Sequence, residues 1–133
     1  MKRFEEIEHT ADWAFRAYGH DLQELFANAA YALSALEGVA DAPATVTRQV
    51  HVSGIDYEAL LVNWLSELLY LQETRSETYA RFTIEYLTPT ALHATIDGAP
   101  AGPLNKFIKA ITYHDLKIEQ MPEGWQATVV VDV

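Results

Sequence analysis

The alternation of apolar and polar residues predicts several short strands along the chain. In residues 13–18, Trp13, Phe15 and Ala17 occupy every second position, which is the period of a strand with one buried face. Gly19 ends this run. Comparable runs predict further strands at residues 4–9, 46–53, 81–87, 91–97 and 125–131.

Two other segments have the period of a helix. The first helix is predicted to begin after Asp21, with Glu24 at the spacing of a capping box, and to end near Gly38. A single apolar stripe runs along it and predicts one buried face. The stripe consists of Leu22, Leu25, Phe26, Ala29, Ala30, Leu33 and Leu36.

The second helix is predicted to begin after Asp56, with Ile55 and Leu60 packed together as a hydrophobic staple. Its apolar residues occupy more than one stripe, so we expect neighbours to cover it on most sides. These residues are Leu60, Leu61, Trp64, Leu65, Leu68, Leu69 and Leu71. The polar stretch 73–79 and the Pro- and Gly-rich stretch 98–103 are predicted to be loops.

This order of elements predicts the fold class. Strands are scattered around two helices, and tight turns join several of them, instead of the strict strand–helix alternation of a parallel sheet. At 133 residues the chain is long enough for one core but not two. We therefore expect a single α+β domain, residues 1–133, with two main helices packed on a mostly antiparallel or mixed sheet.

The stretch 109–115 concentrates chemically versatile side chains between apolar neighbours. Read as one continuous strand, it places Thr112 and His114 on the inner face. Taken alone, the simplest interpretation is a core histidine satisfied by a hydrogen bond, opposite a solvated outer face. The outer face would carry Lys109, Ile111, Tyr113, Asp115 and Lys117.

Two other places carry candidate metal ligands. His9 and Asp12 lie in a polar hinge between the first two strands, although such a pair can also be an ordinary turn. Asp132 and Val133 follow the last strand, which keeps their carboxylates close to the fold, although a chain end is often simply exposed. Such oxygen ligands suit calcium or magnesium. A contribution from His9 or His114 would favour manganese, zinc or iron.

Composition narrows the classes of function. A net charge of −10 with nine scattered basic residues argues against strong direct binding of nucleic acid, and suits a cation or a basic protein partner. The absence of cysteine excludes thiol catalysis and thiolate zinc sites. We expect neither a signal peptide nor a membrane span, and hence a cytoplasmic protein. Standard phosphate-loop, nucleophile-elbow and zinc-protease motifs are absent from the sequence.

Taken in order, five segments resemble the archease family across essentially the whole chain. Trp13 departs from the small aliphatic residue that is usual there, and the loop 98–106 is also unusual. The matching segments are HTAD at 9–12, DLQELFANAA at 21–30, LLVNWLSELLYL at 60–71, IKAITYH at 108–114 and VDV at 131–133.

The resemblance implies a non-enzymatic activator of an RtcB-type RNA ligase in tRNA splicing or RNA repair. Such proteins promote guanylylation of the ligase and its multiple turnover, and the family carries a divalent-metal site associated with calcium. Matched by motif, Asp12, Asp132 and Val133 would be the metal ligands, with magnesium, manganese or zinc as alternatives to calcium. Lys109 would be the functional lysine, with His9 and His114 as neighbours.

The sequence is also compatible with two other classes of function. A small metal-dependent hydrolase could use His9, Asp12, His114 and Asp132 to activate water. A general chaperone could bind clients through exposed apolar surface. The candidate patch for that surface comprises Tyr70, Tyr79 and Phe82.

Overall fold

The computed structural model describes residues 1–7, 13–39, 43–104 and 106–133. Within those ranges the chain forms two helices and eight strands. In chain order these are β1 (Phe4–Ile7), β2 (Trp13–Gly19), α1 (Leu22–Leu36), β3 (Val46–Ser53), α2 (Tyr57–Arg75), β4 (Glu77–Thr88), β5 (Ala91–Pro100), β6 (Ala110–Ile111), β7 (Lys117–Met121) and β8 (Gly124–Asp132). The predicted α+β class is confirmed.

The strands form two antiparallel sheets. In the five-stranded sheet the order is β1, β2, β8, and both β6 and β7 pair with the remaining side of β8. In the three-stranded sheet β5 lies between β3 and β4. The strand β8 is therefore central to its sheet, and its last residues lie between β2 and β6.

The core is formed where the helices pack against both sheets. Helix α1 packs mainly against β2 and β4, while α2 contacts β3, β4 and α1. Trp64 is fully buried and donates a hydrogen bond from its indole N–H to the carbonyl of Phe26, 3.0 Å away. This bond joins the two helices and satisfies a polar group that would otherwise be costly to bury.

Both predicted helix starts are confirmed. The Asp21 and Asp56 carboxylates accept hydrogen bonds from the backbone N–H of Glu24 and Ala59, each at 2.8 Å. Such caps satisfy N–H groups that have no partner within the helix. The Glu24 carboxylate reaches back to the N–H of His20, one residue before the cap, instead of closing the usual capping box on Asp21.

The predicted staple at the start of α2 is wrong. Ile55 is 89% exposed, so its side chain points into solvent and does not pack on Leu60, which is fully buried. The Asp56 cap starts the helix without this apolar contact.

The loop predicted at 73–79 is also wrong, because α2 continues through Arg75 and β4 begins at Glu77. A single left-handed residue, Ser76, makes the turn between them with a φ of 53°. Glu77 is buried because Arg48 donates two hydrogen bonds to its carboxylate, at 3.1 and 2.7 Å. The hydrogen bonds from Arg48, a residue distant in sequence, thus allow a polar residue to be buried at the start of β4.

The predicted loop 98–103 begins later than expected, because β5 extends to Pro100. Gly98 lies within the strand opposite Tyr79. A Cβ atom at this glycine would lie 2.0 Å from the carbonyl oxygen of Thr78, so the glycine permits a close approach of two strands.

Candidate functional site

Lys109 lies beside the end of β8. Its backbone N–H donates to the carbonyl of Asp132 at 2.8 Å, and the next residue, Ala110, pairs with Asp132 in the sheet. The side chains of Lys109 and Asp132 are exposed, and Val133 is 44% exposed. Within the described ranges, neither Lys109 nor Asp132 forms an ion pair. A solvent-exposed ammonium just before β6 and a solvent-exposed carboxylate at the end of β8 thus lie on backbone segments that pair with each other.

The segment after Lys109 is not the continuous strand that the alternation predicted. Pairing with β8 stops after β6 and resumes at β7, so the five residues 112–116 lie opposite only two, 129–130. Thr112 marks the break, because its backbone N–H and its hydroxyl both donate to the carbonyl of Val130, at 3.0 and 2.9 Å. The excess residues leave the sheet as a loop.

This loop changes the predicted orientation of two side chains. Asp115 is left-handed, with a φ of 52°, and the N–H of Leu116 closes a turn on the carbonyl of Tyr113. His114 lies in this turn with 62% of its side chain exposed, so its predicted place on the inner face is wrong. Ile111, predicted to face outward, is instead buried in the core.

A second lysine reaches the same end of the sheet. The Lys106 ammonium lies 3.0 Å from the centroid of the Trp13 ring, and Trp13 pairs with Val131 in β8. Sequence reasoning missed Lys106, because a lysine in an irregular segment carries no signal of its tertiary contact. The candidate residues His9 and Asp12 lie outside the described residues, although Asp12 directly precedes Trp13 in the chain.

A buried carboxyl group anchors the backbone that leads into Lys109. Glu37 is 1% exposed and accepts hydrogen bonds from the side-chain amide of Gln72 at 3.0 Å and from the N–H of Ile108 at 3.4 Å. Burial raises the pKa of Glu37, and the two donors offset part of that rise. Sequence reasoning missed Glu37 as well, because a glutamate just before Gly38 at a helix end has the pattern of an ordinary surface residue.

The donor atoms at the end of β8 suit a hard cation. The Asp132 carboxylate and the adjacent oxygens of Val133 are the ligand type that calcium prefers. Across residues 1–7, 13–39, 43–104 and 106–133, no group of three or more His, Asp or Glu side chains is placed to hold a metal ion. Asp132 and Val133 are therefore not accompanied, among the described residues, by the further side chains that a complete ligand set would need.

The apolar patch proposed for a general chaperone is not formed. Tyr79 is 3% exposed and Phe82 is half-buried against the core, so of these three side chains only Tyr70, at 60%, is largely exposed. In the part of the chain that the structure describes, no helix is both long enough and apolar enough to span a membrane.

Comparison with known proteins identifies the family. The model of the archease protein family (MTH1598/TM1083) matches residues 4–133. The chain belongs to the archease family. Among curated relatives, "Protein archease" of Methanosarcina acetivorans is 38% identical, over 99% of this chain and 97% of the relative. The protein of the same name from Pyrococcus abyssi is 37% identical over the full length of both chains.

Solved archease-family structures have the same fold. The solution structure of Methanobacterium thermoautotrophicum protein 1598 superposes with a TM-score of 0.78, at 31% identity over all of both chains. The crystal structure from Thermotoga maritima, described as an archease and "possible chaperone", gives a TM-score of 0.67 at 27% identity, over 97% of this chain and 96% of that one.

Proposed function

We propose that this archease-family protein is a non-enzymatic activator of an RtcB-type RNA ligase in tRNA splicing or RNA repair. In this role it promotes guanylylation of the ligase and its multiple turnover. The observation that supports this proposal best is the placement of Lys109 directly beside Asp132 and Val133, with both charged side chains exposed. Residues distant in sequence thus carry exposed side chains of opposite charge at the same end of the sheet.

Each side chain has a specific part in this proposal. Asp12, Asp132 and Val133 would hold a divalent ion, calcium by ligand preference. When bound, that ion supplies positive charge that offsets phosphate charge. Lys109 contacts a phosphate or a carboxylate of the ligase complex through a charge-assisted hydrogen bond. In this proposal His9 and His114 lie next to these metal ligands.

Two exposed aromatic side chains accompany Lys109 and would supply apolar contact to the ligase. Phe107 is 53% exposed and Tyr113 is 61% exposed, although both lie within a few residues of the buried Ile108 and Ile111. Aromatic anchors beside a charged residue are characteristic of the energetic centre of protein interfaces.

Replacing Phe107 or Tyr113 with alanine is expected to weaken binding to the ligase by more than about 1 kcal/mol each, because a buried aromatic anchor would be lost. Affinity is measured by titrating labelled ligase with each variant. Tyr70→Ala is the matched control, since Tyr70 is equally exposed but lies on α2. This interface would be contradicted if all three alanine variants lost the same affinity for the ligase, or if the Phe107 and Tyr113 variants lost none.

Calcium binding is expected to depend on Asp132. Asp132→Asn removes the charge of one oxygen ligand and should weaken calcium binding at least about tenfold, since a charged hydrogen bond or ligand contributes about 1.5–3 kcal/mol. Calorimetric titration of the chelator-treated chain measures this. Asp97→Asn, on the three-stranded sheet, is the control. Unchanged calcium affinity in the Asp132 variant would exclude this ligand.

The activation itself is tested with a cognate ligase present at far lower concentration than the RNA ends. With the protein added, we expect ligation to continue over many turnovers and guanylylated ligase to accumulate faster. A control reaction with the protein alone tests for hydrolysis of the RNA. If ligation is unchanged at every calcium concentration, the proposed function is wrong.

A further inference from the structure

Two histidines face each other on the outer surface of the three-stranded sheet. His51 of β3 and His93 of β5 are paired in register, and their rings stack with centroids 4.1 Å apart and planes inclined by 10°. His51 is exposed and His93 is half-buried. Leu92 and Ala94, on either side of His93 in the chain, point to the opposite, buried face of the sheet. The pair therefore lies in the other sheet from the Lys109 site and is open to solvent.

A β-bulge places Tyr86 against this pair and Glu85 on the same outer face. The register of β4 against β5 shifts between Ile84 and Tyr86, which leaves Glu85 as the extra residue. Tyr86 consequently pairs with His93, with ring centroids 5.1 Å apart. The Glu85 carboxylate accepts a hydrogen bond from the Thr95 hydroxyl at 2.9 Å, on the same outer face. Bulges often redirect side chains beside functional sites.

The spacing of the two imidazoles suits chelation of one ion. Zinc binds imidazole nitrogen at about 2.0–2.1 Å, so two nitrogens on one tetrahedral ion stand roughly 3.4 Å apart. Directly paired positions in an antiparallel sheet hold their Cβ atoms about 4.5–5.5 Å apart. Rotation of the His51 and His93 rings out of the stack, with the backbone unchanged, would allow one nitrogen of each ring to reach a shared ion.

We propose that His51 and His93 form a binding site for a divalent transition-metal ion, with zinc as the representative ion. Imidazole ligands select zinc, copper or nickel over calcium and magnesium, and the nearby Glu85 and the net charge of −10 favour a cation. Only two histidines approach the ion, so water or a donor atom of a bound molecule completes its coordination. This site is separate from the oxygen ligands at Asp132.

The site is tested by calorimetric titration of zinc into the chelator-treated full chain, with excess calcium present to occupy oxygen-ligand sites. His51→Asn and His93→Asn are each expected to lower the zinc affinity at least about tenfold, since even loss of an outer partner of a metal ligand costs about 10–100-fold. His20→Asn is the control, because His20 is exposed and hydrogen-bonds to Glu24 at the start of α1. Thermal unfolding of each apo variant confirms that the fold is retained.

Nuclear magnetic resonance locates the ion independently of affinity. We expect zinc to shift the imidazole resonances of His51 and His93, and not those of His20. The proposal is overturned if the native chain and the double variant give the same zinc titration, or if zinc leaves both ring signals unchanged.

Discussion

Replacing Lys109 with alanine is expected to remove most of the activation of the ligase while leaving the fold intact. The side chain is exposed and its backbone hydrogen bond to Asp132 does not need the ammonium. A hydrogen bond to a charged group contributes about 1.5–3 kcal/mol. Loss of that contribution at the rate-limiting step slows the activated reaction roughly 10- to 150-fold. Multiple-turnover ligation at limiting ligase measures the effect.

The matched control for this variant is Lys117→Ala. Lys117 lies on β7, along the same side of β8, and its exposed ammonium forms an ion pair with Glu119 at 3.3 Å. Removing it makes the same change in net charge, so activation should remain near the native level. If both alanine variants lose activation equally, the general charge of this surface is responsible and not Lys109.

Replacing Glu37 with alanine is expected to destabilise the fold by about 2–4 kcal/mol. The change leaves a small cavity and removes the acceptor for the N–H of Ile108, in an environment where an unsatisfied donor costs about 1–3 kcal/mol. The segment that carries Lys109 loses its anchor at the same time, so activation should decline together with stability. Denaturant unfolding and the ligation assay are both measured on the same preparation.

Glu37→Gln separates the charge of this residue from its hydrogen bonds. A glutamine carbonyl can still accept from Gln72 and Ile108, but it does not titrate. Burial raises the pKa of Glu37 above its ordinary value of 4.5, so the folded chain binds the proton more tightly than the unfolded chain does. The stability contribution of Glu37 is therefore complete below pH 4.5 and is lost as pH rises through the folded-state pKa.

The expected result is a stability difference that depends on pH. Relative to the native chain, Glu37→Gln should gain stability between pH 4 and neutral pH, measured as the midpoint of urea unfolding. A constant difference across this range would show that Glu37 has the same pKa in the folded and unfolded states.

Local signals in the sequence predicted most of the secondary structure. Asp21 and Asp56 were placed as caps because a helix start needs a side-chain acceptor at that position, and both accept the expected N–H. The bounds of β3 agree with its apolar alternation. The errors at Glu77 and Gly98 have a common cause. Strand residues there are held by Arg48 and by a close backbone approach, which are contacts between distant parts of the chain.

The candidate site was predictable only in part, for the same reason. Lys109 is exposed as predicted, but the alternation behind that prediction also placed Ile111 on the outer face, and Ile111 is buried. The exposure of His114 depends on two hydrogen bonds from Thr112 to the carbonyl of Val130 and on the left-handed Asp115, and periodicity does not predict either. Glu37 supports the site through Ile108, 71 residues away in sequence.

A double-mutant cycle in the ligation assay determines whether Lys109 and Asp132 act as one site. Activation by the native chain is compared with activation by Lys109→Ala, Asp132→Asn and the double variant, at saturating calcium and limiting ligase. Residues that act as a unit have strongly non-additive effects. We predict that the double variant is no worse than the poorer single variant. If the two losses multiply independently, or if neither single variant loses activation, Lys109 and Asp132 do not act as one site.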